Sequence, residues 1–345
     1  MIRPDLEGGP VAVLGGGSWG STLAHLAAQS AGASTLWLRD EEVASEVNEQ
    51  RTNRRYLGET PVAPGLTATT DLERAVRGRP LVIVALPSSC FRSMAGVIGE
   101  FLTGDQVVLS ATKGLEPESF ARMSEVLRSE TCARKVGALS GPNLAKEILA
   151  GQPSATVVAS RFKEVIVRSA EALHSPGLRI YGNPDLKGVE LAGALKNVIA
   201  IASGVAQGLG FGANVRAMIV TRGLAEIQRL GVKLGADPLT FSGLAGIGDL
   251  LVTCSSELSR NFRVGLGLAQ EQPLAQILEA LGETAEGVNT TRVALALSQH
   301  HGVAMPITEG LHGMLFGERS PREVLEDLMT RRARYEIDFD YSAEV

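Results

Sequence analysis

The chain has 345 residues, of which 44% are apolar and 21% charged, and this ordinary composition is enough for about two globular domains. A formal net charge of −5 argues against a nucleic-acid partner, and the lack of an apolar run of about 18–20 residues predicts no membrane span. Three widely spaced cysteines indicate a cytoplasmic protein without disulfides, and the five histidines form no spaced metal motif, so no metal is expected.

The first predicted element is a strand at residues 11–14 that ends in a glycine-rich turn. Gly15, Gly17 and Gly20 have the spacing G-x-G-x-x-G, and helical composition follows from Ser21. Between a strand and a helix this pattern predicts a dinucleotide site, because the glycines allow a tight turn, close approach of the backbone to a pyrophosphate and close packing of helix on strand. The N–H groups at the helix N-terminus would face the phosphates. The alternative is an ordinary βα turn that happens to be rich in glycine.

Further apolar runs in the first half of the chain predict a parallel sheet with helices between its strands. A continuous run such as residues 81–86 is typical of a strand buried on both faces. The other predicted strands cover residues 34–38, 107–110, 136–139 and 155–158, and predicted helices include 121–129 and 162–173. Repeated βα units imply a Rossmann-like, doubly wound α/β domain that binds its ligand at the carboxyl ends of the strands. Those ends carry Gly15, Arg39, Pro87, Lys113 and Gly141.

The composition changes after residues 183–185, where β-branched runs stop and alanine, leucine and glycine dominate. Apolar residues recur at helical spacing in residues 215–230, 274–281, 293–297 and 321–328. The sequence therefore predicts a Rossmann-like domain at 1–188 and an all-helical domain at 189–345, with flexible tails at residues 1–9 and at the C-terminal end. A protein of two such domains usually binds its substrate between them.

The candidate reactive group is Lys196, on a predicted helix of the second domain. Three of its nearest neighbours on that helix face (Ala192, Gly193 and Ala200) are small, so another body can approach the lysine closely. A lysine at a domain interface can act as a general acid or base, because its pKa shifts readily. The alternative is a lysine that extends from the helix edge into solvent.

Two further polar residues suggest what such a site would bind. Asp249 follows a glycine-rich turn, and Arg260 stands at a helix start that Ser259 can cap. Asp249 could instead be a loop cap, and Arg260 a solvated surface charge. Together with Lys113 at a strand end, Lys196 and Arg260 would form a cationic site within an acidic protein, which predicts a small anionic substrate.

With these residues in place, the chain resembles the bacterial NAD(P)-dependent glycerol-3-phosphate dehydrogenases. The matching segments occur in the family's order over nearly the whole chain. They are residues 15–20, 36–39, 112–114, 140–142, 190–197, 248–250, 259–261 and 285–287. The chain departs from many bacterial members at Asn143 and Leu144, where a hydroxyl residue and phenylalanine are common, and at Thr284, where the residue is commonly apolar.

The resemblance implies hydride transfer between NAD(P)H and dihydroxyacetone phosphate, giving sn-glycerol 3-phosphate for phospholipid synthesis, in a homodimer. It implies that Lys196 is the proton acceptor for the substrate hydroxyl and that Lys113, Asn197 and Asp249 act beside it. The implied substrate-binding residues are Lys113, Gly141, Asn143, Lys196, Asp249, Ser255, Ser259, Arg260 and Asn261. The implied cofactor-binding residues are Gly15, Gly17, Ser18, Trp19, Gly20, Arg39, Phe91, Lys113, Ala145, Arg260 and Glu286.

The choice between NADP and NAD depends on the end of the second predicted strand. A carboxylate there favours NAD by bonding the ribose hydroxyls, whereas an arginine accommodates the 2′-phosphate of NADP. Arg39 comes first and Asp40 second, so we expect NADPH to be preferred, with NADH as the alternative. Arg39 could instead stack on adenine, which would serve both cofactors.

Two other functions fit parts of the pattern. A β-hydroxyacid dehydrogenase also places a lysine on a helix after its Rossmann domain, but a carboxylate substrate does not require residues 259–261 as an anchor. A non-catalytic NAD(P)-sensing protein would bind the cofactor without turnover.

Overall fold

The computed structural model describes residues 10–282, 284–317 and 319–330. Within them, eight strands form one sheet: β1 (Val11–Leu14), β2 (Ser34–Trp37), β3 (Leu66–Thr69), β4 (Leu81–Val84), β5 (Val107–Ser110), β6 (Lys135–Ser140), β7 (Ser154–Ala159) and β8 (Leu178–Asn183). The helices between the strands are α1 (Ser18–Ala31), α2 (Glu41–Gln50), α3 (Arg54–Leu57), α4 (Leu72–Val76), α5 (Phe91–Gly99), α6 (Met123–Glu130), α7 (Ala145–Leu149) and α8 (Lys163–Leu173).

The sheet confirms the predicted Rossmann-like fold. Its strand order is β3-β2-β1-β4-β5-β6-β7-β8, and the first six strands are parallel in the order typical of dinucleotide-binding domains. The all-parallel prediction is wrong at one pair, because β7 runs antiparallel to β6. After β6 the chain passes through the short helix α7 and turns back, so β7 pairs beside β6 in the opposite direction, without the long crossover connection that a parallel pair needs.

Two strands that the sequence did not predict, β3 and β8, form the two edges of the sheet. β3 alternates between buried and more exposed residues, and β8 has only one fully buried residue, Leu178. An edge strand is covered by a neighbour on one side only, so it lacks the continuous apolar run that marks the central strands.

The helical part begins with the long helix α9 (Leu186–Gly208), around which most of the later helices pack. They are α10 (Ala213–Lys233), α11 (Asp249–Ser255), α12 (Arg260–Ala269), α13 (Leu274–Leu281), α14 (Glu286–His301), α15 (Pro306–Phe316) and α16 (Pro321–Thr330). All four predicted helical stretches lie within these bounds. The boundary at residues 188 and 189 falls in the first turn of α9 and stays a prediction. The predicted tail at residues 1–9 lies outside the described residues, as do residues 331–345 at the C-terminal end.

Helix α9 is long and apolar enough to cross a membrane, a property that inspection of the sequence overlooked. Its 18-residue apolar window is, however, 100% buried inside the protein. Glycines bring α12 into backbone contact with it, since a Cβ atom on Gly204 would lie 2.1 Å from the carbonyl oxygen of Phe262. A helix surrounded by other helices is apolar on every face, and this position accounts for its composition.

Candidate active site

Lys196 lies in the middle of α9, where the helical part meets the carboxyl ends of the strands. The residue is only 5% exposed, and its Nζ donates hydrogen bonds to Asp249 Oδ1 and, at 2.6 Å, to Thr253 Oγ1. One turn earlier, a Cβ atom on Gly193 would lie 2.5 Å from Ser140 Oγ at the end of β6. The small residues therefore let the sheet approach this helix, as predicted, and the solvent-extended alternative for Lys196 is wrong.

Asp249 joins the two halves of the protein. It is 1% exposed, and its second oxygen, Oδ2, accepts a hydrogen bond of 2.7 Å from Lys113 Nζ. Lys113 follows β5 and also donates to the carbonyl oxygen of Gly141 at 3.0 Å. One buried carboxylate is thus shared between a lysine of the helical part and a lysine of the sheet, and the loop-cap alternative for Asp249 is wrong.

Burial changes the acidity of this cluster. Desolvation is the largest influence on Lys196 and lowers its pKa from 10.5 to about 8. The nearby charge of Asp249 raises that pKa, and the charge of Lys113 lowers it. A pKa near 8 allows the ammonium group to lose and regain a proton close to physiological pH.

An irregular segment places Asp249. Residues Leu244–Gly248 form one π-helical turn directly before α11, a geometry often found at functional sites. Gly246 lies so close to the preceding turn that a Cβ atom would be 2.1 Å from the carbonyl oxygen of Phe241. Thr253, four residues after Asp249, shares its helix face and was missed in the sequence. The i, i+4 spacing from Asp249 is the signal that could have indicated it.

The glycine-rich turn has the geometry required for a dinucleotide. Gly15 has a φ of +124°, and a Cβ atom on Gly20 would lie 1.9 Å from the carbonyl oxygen of Gly15. Among the described residues, nothing lies within 4 Å of a Cβ position at Gly17, and no side chain caps the start of α1. The first N–H groups of α1 are therefore available to phosphates. Trp19, beside this turn, has a buried Nε1 that finds no acceptor in the described part of the chain. These residues fit NAD(P).

Glu286, at the start of α14, reaches across to the sheet. Its Oε1 accepts a hydrogen bond of 2.9 Å from the backbone N–H of Ser88, and its Oε2 accepts one from the Ser88 hydroxyl. Ser88 follows β4 and was missed in the sequence, although Pro87 marked the strand end before it. Phe91, the next predicted cofactor contact, is 1% exposed within the core. Its side chain offers a bound cofactor almost no surface, and its contact stays a prediction.

Arg260 is the first residue of α12 and is partly exposed. Ser259 caps this helix by accepting a hydrogen bond of 3.3 Å from the N–H of Phe262. Asn261 Oδ1 accepts one of 2.9 Å from the N–H of Gly287, which ties α12 to α14. Asn197 lies at the same junction, because a Cβ atom on Gly287 would be 2.7 Å from its carbonyl oxygen. Ser259 and Asn261 therefore position the segment that carries Arg260.

The remaining predicted site residues occupy the ends of their elements. Gly141 has a φ of +149°, and Asn143 Nδ2 donates to Thr156 Oγ1 at 2.9 Å. Ser255 is exposed and donates to the carbonyl oxygen of Leu251, while Ser18 and Ala145 begin α1 and α7.

In the described ranges, no group of three or more His, Cys, Asp or Glu residues is placed to hold a metal ion. The expected absence of a metal stays a prediction.

Comparison with known proteins gives consistent matches along the chain. The family model for the N-terminus of NAD-dependent glycerol-3-phosphate dehydrogenase matches residues 10–166, and the model for its C-terminus matches residues 185–326. A glycerol-3-phosphate dehydrogenase [NAD(P)+] of Pseudomonas paraeruginosa is 47% identical over 330 residues, 96% of this chain and 97% of the relative. One of Acinetobacter baylyi is 45% identical over 95% of this chain and 92% of the relative. The crystal structure of the Coxiella burnetii glycerol-3-phosphate dehydrogenase superposes with a TM-score of 0.89 at 34% identity, covering 93% of this chain and 99% of that chain.

Proposed function

The chain belongs to the family of NAD-dependent glycerol-3-phosphate dehydrogenases, and we propose that it transfers hydride reversibly between NAD(P)H and C2 of dihydroxyacetone phosphate, forming sn-glycerol 3-phosphate. It is an NAD(P)-dependent oxidoreductase. The observation that carries the proposal is the buried cluster in which Lys196 and Lys113 share Asp249 at the strand ends. NADPH oxidation on addition of dihydroxyacetone phosphate, followed by absorbance, tests it. Cofactor binding without turnover would favour the non-catalytic alternative.

The bound cofactor supplies or accepts the hydride, and the protein orients the reactants and manages the proton. As C2 of the ketone is reduced, negative charge develops on its oxygen, and Lys196 Nζ donates the proton that neutralises it. In the oxidative direction the neutral amine takes that proton back. Lys113 adds positive charge beside the same oxygen, and Asp249 holds both ammonium groups in place. Arg260 binds the substrate phosphate through its fork of donors.

The acidity of Lys196 predicts opposite pH dependences for the two directions. Burial lowers the pKa of Lys196 to about 8, and only the protonated form can donate to the ketone. We expect kcat/KM for reduction to fall as the pH rises through about 8, and kcat/KM for oxidation to rise over the same range. Rate profiles in both directions from about pH 7 to 9.5 measure this. A reduction rate that does not change across that range would assign the proton to another group.

We propose that NADPH is the preferred cofactor, and two residues at the end of β2 support this. Arg39 is exposed there, and the next residue, Asp40, caps α2 by accepting hydrogen bonds of 3.1 and 3.3 Å from the N–H groups of Glu42 and Val43. Because one oxygen of this carboxylate is already used, it is a weaker partner for the ribose hydroxyls of NAD. We expect Arg39→Ala to lower the NADPH-to-NADH ratio of kcat/KM by about tenfold, the cost of one charge-assisted hydrogen bond. An unchanged ratio would support the stacking role instead.

Family membership also supports the finer features of the proposal. We propose a cytoplasmic homodimer, formed through the helical domain, that works without a metal and supplies glycerol 3-phosphate for phospholipid synthesis. The division at residues 188 and 189 belongs to the same proposal. Light scattering of the purified protein measures the oligomeric state, and full activity after treatment with a chelator would support the absence of a metal.

A further inference from the structure

A third segment of the chain lies against the glycine-rich turn and the end of β2. Asn53 is 0% exposed, and its Nδ2 donates hydrogen bonds of 3.1 Å to the carbonyl oxygen of Gly16 and 2.9 Å to Ser21 Oγ. Gly16 also packs against the residue that follows β2, since a Cβ atom there would lie 2.6 Å from Leu38 Cβ. The segment that begins at Asn53 is therefore fixed to the part of the site that receives the adenosine end of a dinucleotide.

Arg55 extends from this segment towards the residue next to Arg39. Its Nη1 lies 3.7 Å from Asp40 Oδ2, and the two side chains are 62% and 46% exposed. Its guanidinium carbon is 5.4 Å from the ring centre of Tyr56. An ion pair this long and this exposed contributes little to stability, so a ligand anion can replace Asp40 as the partner of Arg55.

We propose that Arg55 is a second guanidinium for the 2′-phosphate of NADP, beside Arg39, and that it helps to determine cofactor specificity. This inference rests on the proposed preference for NADPH. Planar guanidinium groups match phosphate oxygens, and a phosphate at the end of β2 can accept charge-assisted hydrogen bonds from both arginines. Asp40 repels the same phosphate, so the balance between Arg55 and Asp40 sets how strongly the 2′-phosphate is favoured.

The experiment measures binding of adenosine 2′,5′-bisphosphate and of 5′-AMP to the full chain by calorimetry, because the two ligands differ only in the 2′-phosphate. We expect Arg55→Gln to weaken the bisphosphate about tenfold and to change 5′-AMP less than about twofold. Arg54→Gln is the matched control: Arg54 belongs to the same helix α3, but its Nε lies 3.0 Å from Glu59 Oε1. We expect Arg54→Gln to leave the affinities for both ligands unchanged.

Asp40→Asn is a third variant, which keeps a side chain that can cap α2 but removes the negative charge that repels the 2′-phosphate. We expect it to tighten binding of the bisphosphate about threefold.

The outcomes separate the two proposals. If the native protein binds the bisphosphate and 5′-AMP with equal affinity, the proposed preference for NADPH is wrong, and so is the proposed role of Arg55. If the native protein prefers the bisphosphate and Arg55→Gln keeps that preference in full, only the role of Arg55 is wrong. A lower NADPH-to-NADH ratio of kcat/KM in Arg55→Gln is the kinetic result expected alongside the binding change.

Discussion

We expect Lys196→Met to lower kcat for dihydroxyacetone phosphate reduction by about 10²–10⁴-fold, the usual span of acid–base catalysis. Methionine keeps an unbranched apolar stem that is one atom shorter than lysine, and it removes both the charge and the transferable proton. Asp249 retains its hydrogen bond of 2.7 Å from Lys113, so its buried carboxylate is not left without a cation. The fold and the affinity for NADPH should therefore survive, and steady-state kinetics with cofactor fluorescence titration measures both.

Lys187→Met is the control for this experiment. Lys187 lies on the same helix α9, but its Nζ donates to the carbonyl oxygen of Leu234, away from Asp249. The same chemical change there should leave kcat within about twofold of the native value, because no proton is transferred at that position. Near-normal turnover in Lys196→Met, accompanied only by a changed melting temperature, would remove Lys196 from the mechanism.

The second large effect is expected at Arg260. Replacing it by glutamine should lower kcat/KM for dihydroxyacetone phosphate, with a loss of about 2–5 kcal/mol in transition-state binding. This estimate is by analogy with the loss of one partner of a desolvated charge pair. Binding of NADPH alone should change much less. Arg263→Gln is the matched control, because Arg263 is exposed on the same helix α12 one turn later.

The alternative role for Arg260 is to brace the loop after Asp249. Normal kcat and KM for dihydroxyacetone phosphate in Arg260→Gln would rule out the phosphate anchor. Loss of folding, seen as a lower melting temperature with no specific rise in KM, would support the bracing role instead.

Local features of the sequence were sufficient for most of the fold. The strand β4 could be predicted because a strand that is buried on both faces needs a continuous apolar run. The turn at Gly15 could be predicted because its backbone, with a φ of +124°, requires a glycine that is visible in the sequence. The edge strands β3 and β8 and the antiparallel pairing of β7 were not predicted. Exposed edges carry a weak apolar pattern, and the direction of a strand depends on how the chain returns to the sheet.

By itself, the sequence determined that a dinucleotide turn, a Rossmann-like sheet and a helical second half are present, because these depend on neighbouring residues. Only the tertiary structure decided how the reactive groups interact. Lys196 and Asp249 are 53 residues apart, and Ser88 and Glu286 are 198 apart, so their hydrogen bonds exist only after the helices have packed on the sheet. Packing also decided the acidity of Lys196. Asp249 raises its pKa, but the removal of water around the ammonium group outweighs that charge and lowers the pKa to about 8.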